Sequence, residues 1–164
     1  MRRLPILAAL LVFVSACGGG ETLTLEEYFD QLEAASVEFS TRSDAADTEL
    51  TESADPVGDA KRIIPEFVEI LGDFVEDLKG ISPPDEVAGE HEVAVESGEA
   101  ALSALREVVG VVEGIEDLTG LGELFEGPEM TAFGAAGERF EANCDALQGI
   151  ADREGLEVDL RCNT

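Results

Sequence analysis

The sequence predicts an all-α domain, an antiparallel four-helix bundle followed by a short C-terminal tail. Three observations predict it: apolar residues recur at helical spacing along four segments of matched length, cap and proline signals mark where those segments begin, and two of the connections are short. At 164 residues the chain is one domain's worth, and 45% of it is apolar, too much for a solvated acidic tail. Wholesale disorder is therefore excluded. The 37 acidic residues against 10 basic ones give a formal charge of −27. A surface of that sign repels a phosphate backbone, which excludes nucleic acid as a partner.

The chain opens with Arg2 and Arg3, and the eleven residues Leu4 to Val14 are uncharged and apolar. That run is too short for a bilayer span, which needs about 20 residues, and it has the form of an export signal. Val14-Ser15-Ala16-Cys17 follows and resembles the bacterial lipobox at all four positions: an aliphatic residue, two small residues and a cysteine. The resemblance implies that residues 1–16 are a signal peptide, that the Cys17 thiol takes a diacylglyceryl group, and that Cys17 becomes the first residue. Two acyl chains anchor where one is marginal, since each buried methylene contributes about 0.8 kcal/mol. Localisation would then be the outer face of the cell membrane. Without Arg2 and Arg3 the chain has 37 acids, 8 bases and a charge of −29, which favours a monomer through self-repulsion.

Residues 17–23 read as the lipidated cysteine and a flexible leash, Gly18 to Gly20 plus three more residues, spanning about 20 Å at most. The bundle domain is assigned to residues 24–164. Thr24-Leu25-Glu26-Glu27 is a capping box, with the hydroxyl and the carboxylate each serving a backbone donor that a helix start leaves unpaired. The first apolar stripe includes Leu25, Phe29, Leu32, Phe39 and Leu50 and predicts a helix to about Ser53. Asp55-Pro56 starts the second, where Phe67, Leu71, Phe74 and Leu78 lie on one face and Pro65 is expected to kink the helix or delay its start.

Pro83-Pro84 forbids continuation of that helix. A third stripe runs from Val87 to Val112 through His91, Gly98 and Leu105, with Asp85 and Glu86 expected in its first turn, where negative charge meets the positive end of the helix dipole. The fourth starts near Pro128, includes Phe133, Gly137, Phe140, Cys144 and Leu147, and stops before Gly155. Helices of these lengths are about 35 to 45 Å long.

With Cys17 assigned to lipid, Cys144 and Cys162 remain, an even number in an oxidising setting. A tail through Leu156, Val158 and Leu160 is long enough to double back and pair them. The expected fold is thus a four-helix bundle with a disulfide-tethered tail. Thiols eighteen positions apart match neither a redox C-x-x-C nor a zinc site.

Few residues offer chemistry. His91 is the only imidazole, there is no G-x-S-x-G elbow, and the Glu-x-x-His of bundle iron sites is missing because Ala88 stands three before His91. Gly89-Glu90-His91-Glu92-Val93-Ala94 resembles the G-x-H-x-x-E motif of imelysin-like and iron-uptake helical lipoproteins, but Ala94 replaces the metal-contacting Glu. No catalytic residue, metal site or cofactor is assigned. His91 is expected on the apolar face, hydrogen-bonded to Glu90 or Glu92.

The fourteen residues Gly114 to Gly127 are long for a bundle connection and include four glycines and five large apolar residues. They read as a plug over one end of the bundle or as a lid or docking surface. Ile115, Leu118, Leu121, Leu124 and Phe125 are the candidate binding residues, with Ile115, Leu118 and Phe125 on one face of a broken helix. Glycines 89, 98, 110, 134 and 137 allow close helix contact or leave a cavity, and any small-molecule site is expected beside this loop. Pro83-Pro84, the F-x-x-x-C of Phe140 to Cys144 and the L-x-C of Leu160 to Cys162 resemble small helical lipoproteins of high-GC Gram-positive and related bacteria. The expectation is a non-enzymatic, membrane-anchored binding or scaffolding module with an envelope protein as partner. The alternative is a small-ligand or metal-ion binding lipoprotein of an uptake system.

Overall fold

The computed structural model describes residues 23–51 and 54–162, so the stretch read as an export signal, Cys17 and the expected leash to Thr22 lie outside the described residues. What it describes is an all-helical bundle with a disulfide-bonded tail. The helices are α1 (Leu25–Thr51), α2 (Pro56–Gly80), α3 (Ala88–Val112), α4 (Leu118–Phe125) and α5 (Pro128–Glu154).

Local chemistry sets most of the ends. At the start of α1 the Thr24 amide donates to Glu27 Oε2 at 2.9 Å and the Glu27 amide donates to Thr24 Oγ1 at 3.2 Å, a complete capping box. Asp55 caps α2 by accepting from the Gly58 amide at 3.1 Å, with Pro56 in the first turn. Helix α2 starts there without delay and carries Pro65 inside it. Asp85 and Glu86 lie in a turn ahead of α3, so the acidic residue of its first turn is Glu90 instead. The shift follows from Val87, whose apolar side chain is fully buried and takes the cap position without a side-chain bond.

Helix α5 ends at Gly155, whose φ of +75° only glycine adopts at no steric cost. Its amide donates to the Asp152 carbonyl and the next amide, of Leu156, donates to Ala151, the paired bonds of a Schellman turn. That turn sends the tail back along α5. Gln148 holds it there: Nε2 donates to the Val158 carbonyl at 3.0 Å and Oε1 accepts from the Leu160 amide at 3.0 Å.

Helix α3 packs against both α2 and α5, and α2 packs against α1. Helices α1 and α5 do not pack along one another; the tail lies in the seam between them. The Asp159 amide donates to Glu33 Oε1 of α1 at 2.7 Å, Leu160 is buried, and Cys162 is bonded to Cys144 of α5 with Cα atoms 5.5 Å apart. The largest fully buried side chains include Tyr28, Phe29, Ile63, Leu78 and Leu147. Each contributes about 1.5 to 3 kcal/mol relative to exposure.

Candidate functional site

The 114–127 segment packs onto α2, α3 and α5. Asp117 accepts from the Thr119 and Gly120 amides, both at 3.0 Å, and so starts α4, an eight-residue helix inside what the sequence presents as a loop. Ile115, Leu121 and Leu124 are buried in the main core, whereas Leu118 is 64% exposed and Phe125 52% exposed. The expectation that Ile115, Leu118 and Phe125 share a face is therefore corrected. Ile115 precedes the helix and turns inward, while Leu118 and Phe125, seven residues apart, lie together on the outer side of α4.

His91 is buried, and its partner comes from another helix. The Tyr28 hydroxyl of α1 lies 3.3 Å from His91 Nδ1, and the rings meet edge to face. Neither Glu90 nor Glu92 plays the expected role, because a side chain turned into the core points away from neighbours on the solvent face. Burial holds the His91 pKa below the usual imidazole value, against a smaller opposing pull from the Leu78 carbonyl. Burial also raises the Tyr28 pKa, with Glu90 adding to it. Two neutral polar groups thus satisfy one another inside the bundle.

A pocket of about 540 Å³ lies beside this segment, with Val111, Ile115, Asp117, Leu124 and Pro128 in its lining, and a more apolar cavity lies elsewhere. Beside Leu160, Arg161 and Cys162 of the tail, the seam between α1 and α5 opens as an apolar cavity of about 360 Å³ that reaches all four long helices. Phe39, Phe67, Phe74, Phe133 and Phe140 line it, five of the eight phenylalanines in the chain. Phe74 is central, with its ring centroid 4.7 Å from Phe39 and 5.6 Å from Phe140. Small residues open the space between the rings. A Cβ at Gly137 would meet nothing within 4 Å, and Gly98 and Ala101 form part of the wall. Gly98 also lets α2 approach, since its Cβ would come 3.0 Å from Val75 Cγ2.

Polar groups are few. The tail supplies Arg161 at the rim, where Nη1 donates to Ser40 Oγ at 3.1 Å, and α5 supplies Glu141. From α1 comes Ser43, whose Oγ is buried and has no hydrogen-bond partner among the described residues. Ser36 of α1 is the other hydroxyl-bearing residue of the lining, and the rest of the wall is apolar. Among the described residues, no three metal-ligating side chains converge and no helix is long and apolar enough to cross a membrane.

The sequence places a small-molecule site beside the 114–127 loop, where the structure has a pocket, and the more apolar cavity between the helix bodies is an addition to it. The available signal for that cavity was the set of glycines already noted in α3 and α5, of which Gly98 and Gly137 line it. No protein-family model, curated protein or solved structure matches the chain.

Proposed function

We propose that this chain is an exported lipoprotein, held at the outer face of the membrane through Cys17, whose bundle is a non-enzymatic module that binds a small apolar molecule. The observation that carries the binding role is the phenylalanine-lined cavity of about 360 Å³ in the α1–α5 seam. Apolar side chains facing open space are a cost to a fold unless something fills the space, and an engineered apolar cavity of about 150 Å³ binds benzene. Room for roughly two such rings is present here. The same reading takes α1, α2, α3 and α5 as an antiparallel four-helix bundle, with the tail standing in for direct α1–α5 contact. The lipobox at Val14 to Cys17 and the short glycine leash support the anchor.

Naphthalene is a suitable probe, because the chain has no Trp to obscure its fluorescence. At about 0.5 kcal/mol per ring carbon it gains about 5 kcal/mol, a Kd on the order of 0.1 mM. Saturable one-to-one binding by the domain from residue 24 onward supports the reading; a signal that rises linearly with probe opposes it. For the anchor, labelled palmitate should enter the native protein and be absent from Cys17→Ala, which should leave the membrane fraction.

A second reading, contact with another envelope protein, draws on Leu118 and Phe125, the two large apolar side chains that α4 exposes. Leu118→Glu with Phe125→Glu should abolish any such complex and leave naphthalene binding unchanged.

A further inference from the structure

We infer that α4 is a docking surface for a basic amphipathic segment of a partner protein, whose apolar side chains seat on Leu118 and Phe125 and whose lysines or arginines meet Glu116, Glu123 and Glu126. The inference rests on the second reading above, contact with another envelope protein, and goes beyond it by naming the chemistry of the partner.

Exposed apolar surface is concentrated at this place. Among the described residues the exposed large apolar side chains are Val111, Leu118 and Phe125, all in α4 or the last turn of α3. Leu118 and Phe125 share one flank of α4, and by helical spacing Gly120 and Glu123 lie on the opposite flank. That second flank borders the pocket of about 540 Å³, whose wall carries Glu116, Asp117, Glu123 and Glu129. The crest between the flanks is Thr119, Gly122 and Glu126, all exposed, and the space around Gly122 is open. A partner laid along α4 therefore meets an apolar flank and an acidic one together.

Charge identifies the kind of partner. Elsewhere on the surface carboxylates draw on the chain's own cations: Asp73 meets Arg42 at 2.8 Å, Glu49 meets Arg62 at 2.9 Å and Glu99 meets Lys79 at 2.7 Å. From Glu107 to Glu138 the sequence has no Lys, Arg or His. Glu116, Glu123 and Glu126 accordingly form no ion pair among the described residues. Like charge opposes both a second copy of this chain and an anionic lipid surface at such a face. An amphipathic helix with Lys or Arg beside its apolar stripe complements both flanks. The face is also remote from the chain end that would carry the anchor. Tyr28, near the start of α1, touches His91, near the start of α3, whereas α4 follows the end of that 25-residue helix, about 37 Å on.

Three peptides carrying one Trp each serve as probes, since the chain has none of its own: a leucine–lysine amphipathic helix, its leucine–glutamate counterpart, and a serine–lysine peptide of equal charge to the first. The leucine–lysine peptide should bind one-to-one and at least about tenfold more tightly than either of the others. Leu118→Ser with Phe125→Ser should weaken it by about tenfold or more, as loss of central apolar anchors does. Glu116→Gln with Glu123→Gln and Glu126→Gln should weaken it by about three- to tenfold and flatten its dependence on salt. Both variants should bind naphthalene as the unaltered protein does, which shows that they are folded. A serine–lysine peptide that binds as well as the leucine–lysine one overturns the inference, because the net charge alone then accounts for binding. Equal affinity for the leucine–glutamate peptide overturns the assignment of a basic partner and leaves contact at α4 standing. Unchanged affinity in the Leu118 and Phe125 variant, or no saturable binding of any peptide, overturns both the inference and the reading it rests on.

Discussion

Filling the cavity from its own wall separates binding from folding. Gly137 lies in the interior of α5, where a Cβ would enter open space bordered by Phe133 and Phe140. Gly137→Leu removes an interior helix glycine, worth about 0.7 kcal/mol. Part of the new side chain moves out of water among the rings, where full burial of a leucine gives about 1.5 to 3 kcal/mol. Half of that benefit brings the net gain to about 1.5 to 2 kcal/mol, and in a domain of this size Tm rises by about 3 to 8 °C. A leucine side chain occupies on the order of 100 Å³, judged from the void its loss leaves, so the remaining space falls below what two rings need. Naphthalene affinity should drop at least tenfold while urea and thermal unfolding midpoints rise. A variant that is stabilised yet binds as before places the probe elsewhere. One that is destabilised shows that the seam is filled already.

Glycines elsewhere should respond according to what surrounds them. Gly134→Ala meets nothing within 4 Å and does not line the cavity, so urea unfolding should show a gain of about 1 kcal/mol with unchanged probe binding, whereas Gly98→Ala forces the buried Val75 aside and should be destabilising. Replacing both Cys144 and Cys162 by Ser opens a loop with a sequence separation of 18, which lowers stability by about 3 kcal/mol in the chain-entropy model. It also frees Leu160 and Arg161 from the cavity wall, so probe affinity should fall in parallel. Because burial holds the His91 pKa down, the unfolded chain takes up a proton that the folded one refuses. Stability is full above about pH 6.5 and is lost as pH falls from there toward the lowered value. Tyr28→Phe deprives Nδ1 of its partner and should cost about 1 to 3 kcal/mol, read by urea unfolding at pH 7.5.

Much of the fold is legible because it is written locally. The reciprocal Thr24–Glu27 bonds need only residues three apart, Asp55-Pro56 needs only neighbours, and Gly155 ends α5 because only glycine takes its φ cheaply. The return of the tail follows from the same turn and from the pairing of the two cysteines. Helix α4 was half legible. Asp117 ahead of Leu118-Thr119-Gly120 is a helix-start signal, but four glycines in fourteen residues outweigh it in a reading by composition.

What stayed hidden depends on distant partners. Tyr28 is 63 positions from His91, and no spacing rule connects them. Phe39, Phe67, Phe74, Phe133 and Phe140 each fit an apolar stripe, and a stripe does not distinguish a ring packed against its neighbour from one facing a gap. The described part of the tail, through Cys162, fills only part of the seam that α1 and α5 leave between them.

Intermolecular proton contacts from bound naphthalene, measured by NMR on the isotopically labelled domain, bear most directly on the claim that the seam holds the ligand. The naphthalene protons should show contacts to the rings of Phe39, Phe74 and Phe140. Contacts confined to Leu118 and Phe125, or none within the seam under saturating probe, would contradict it.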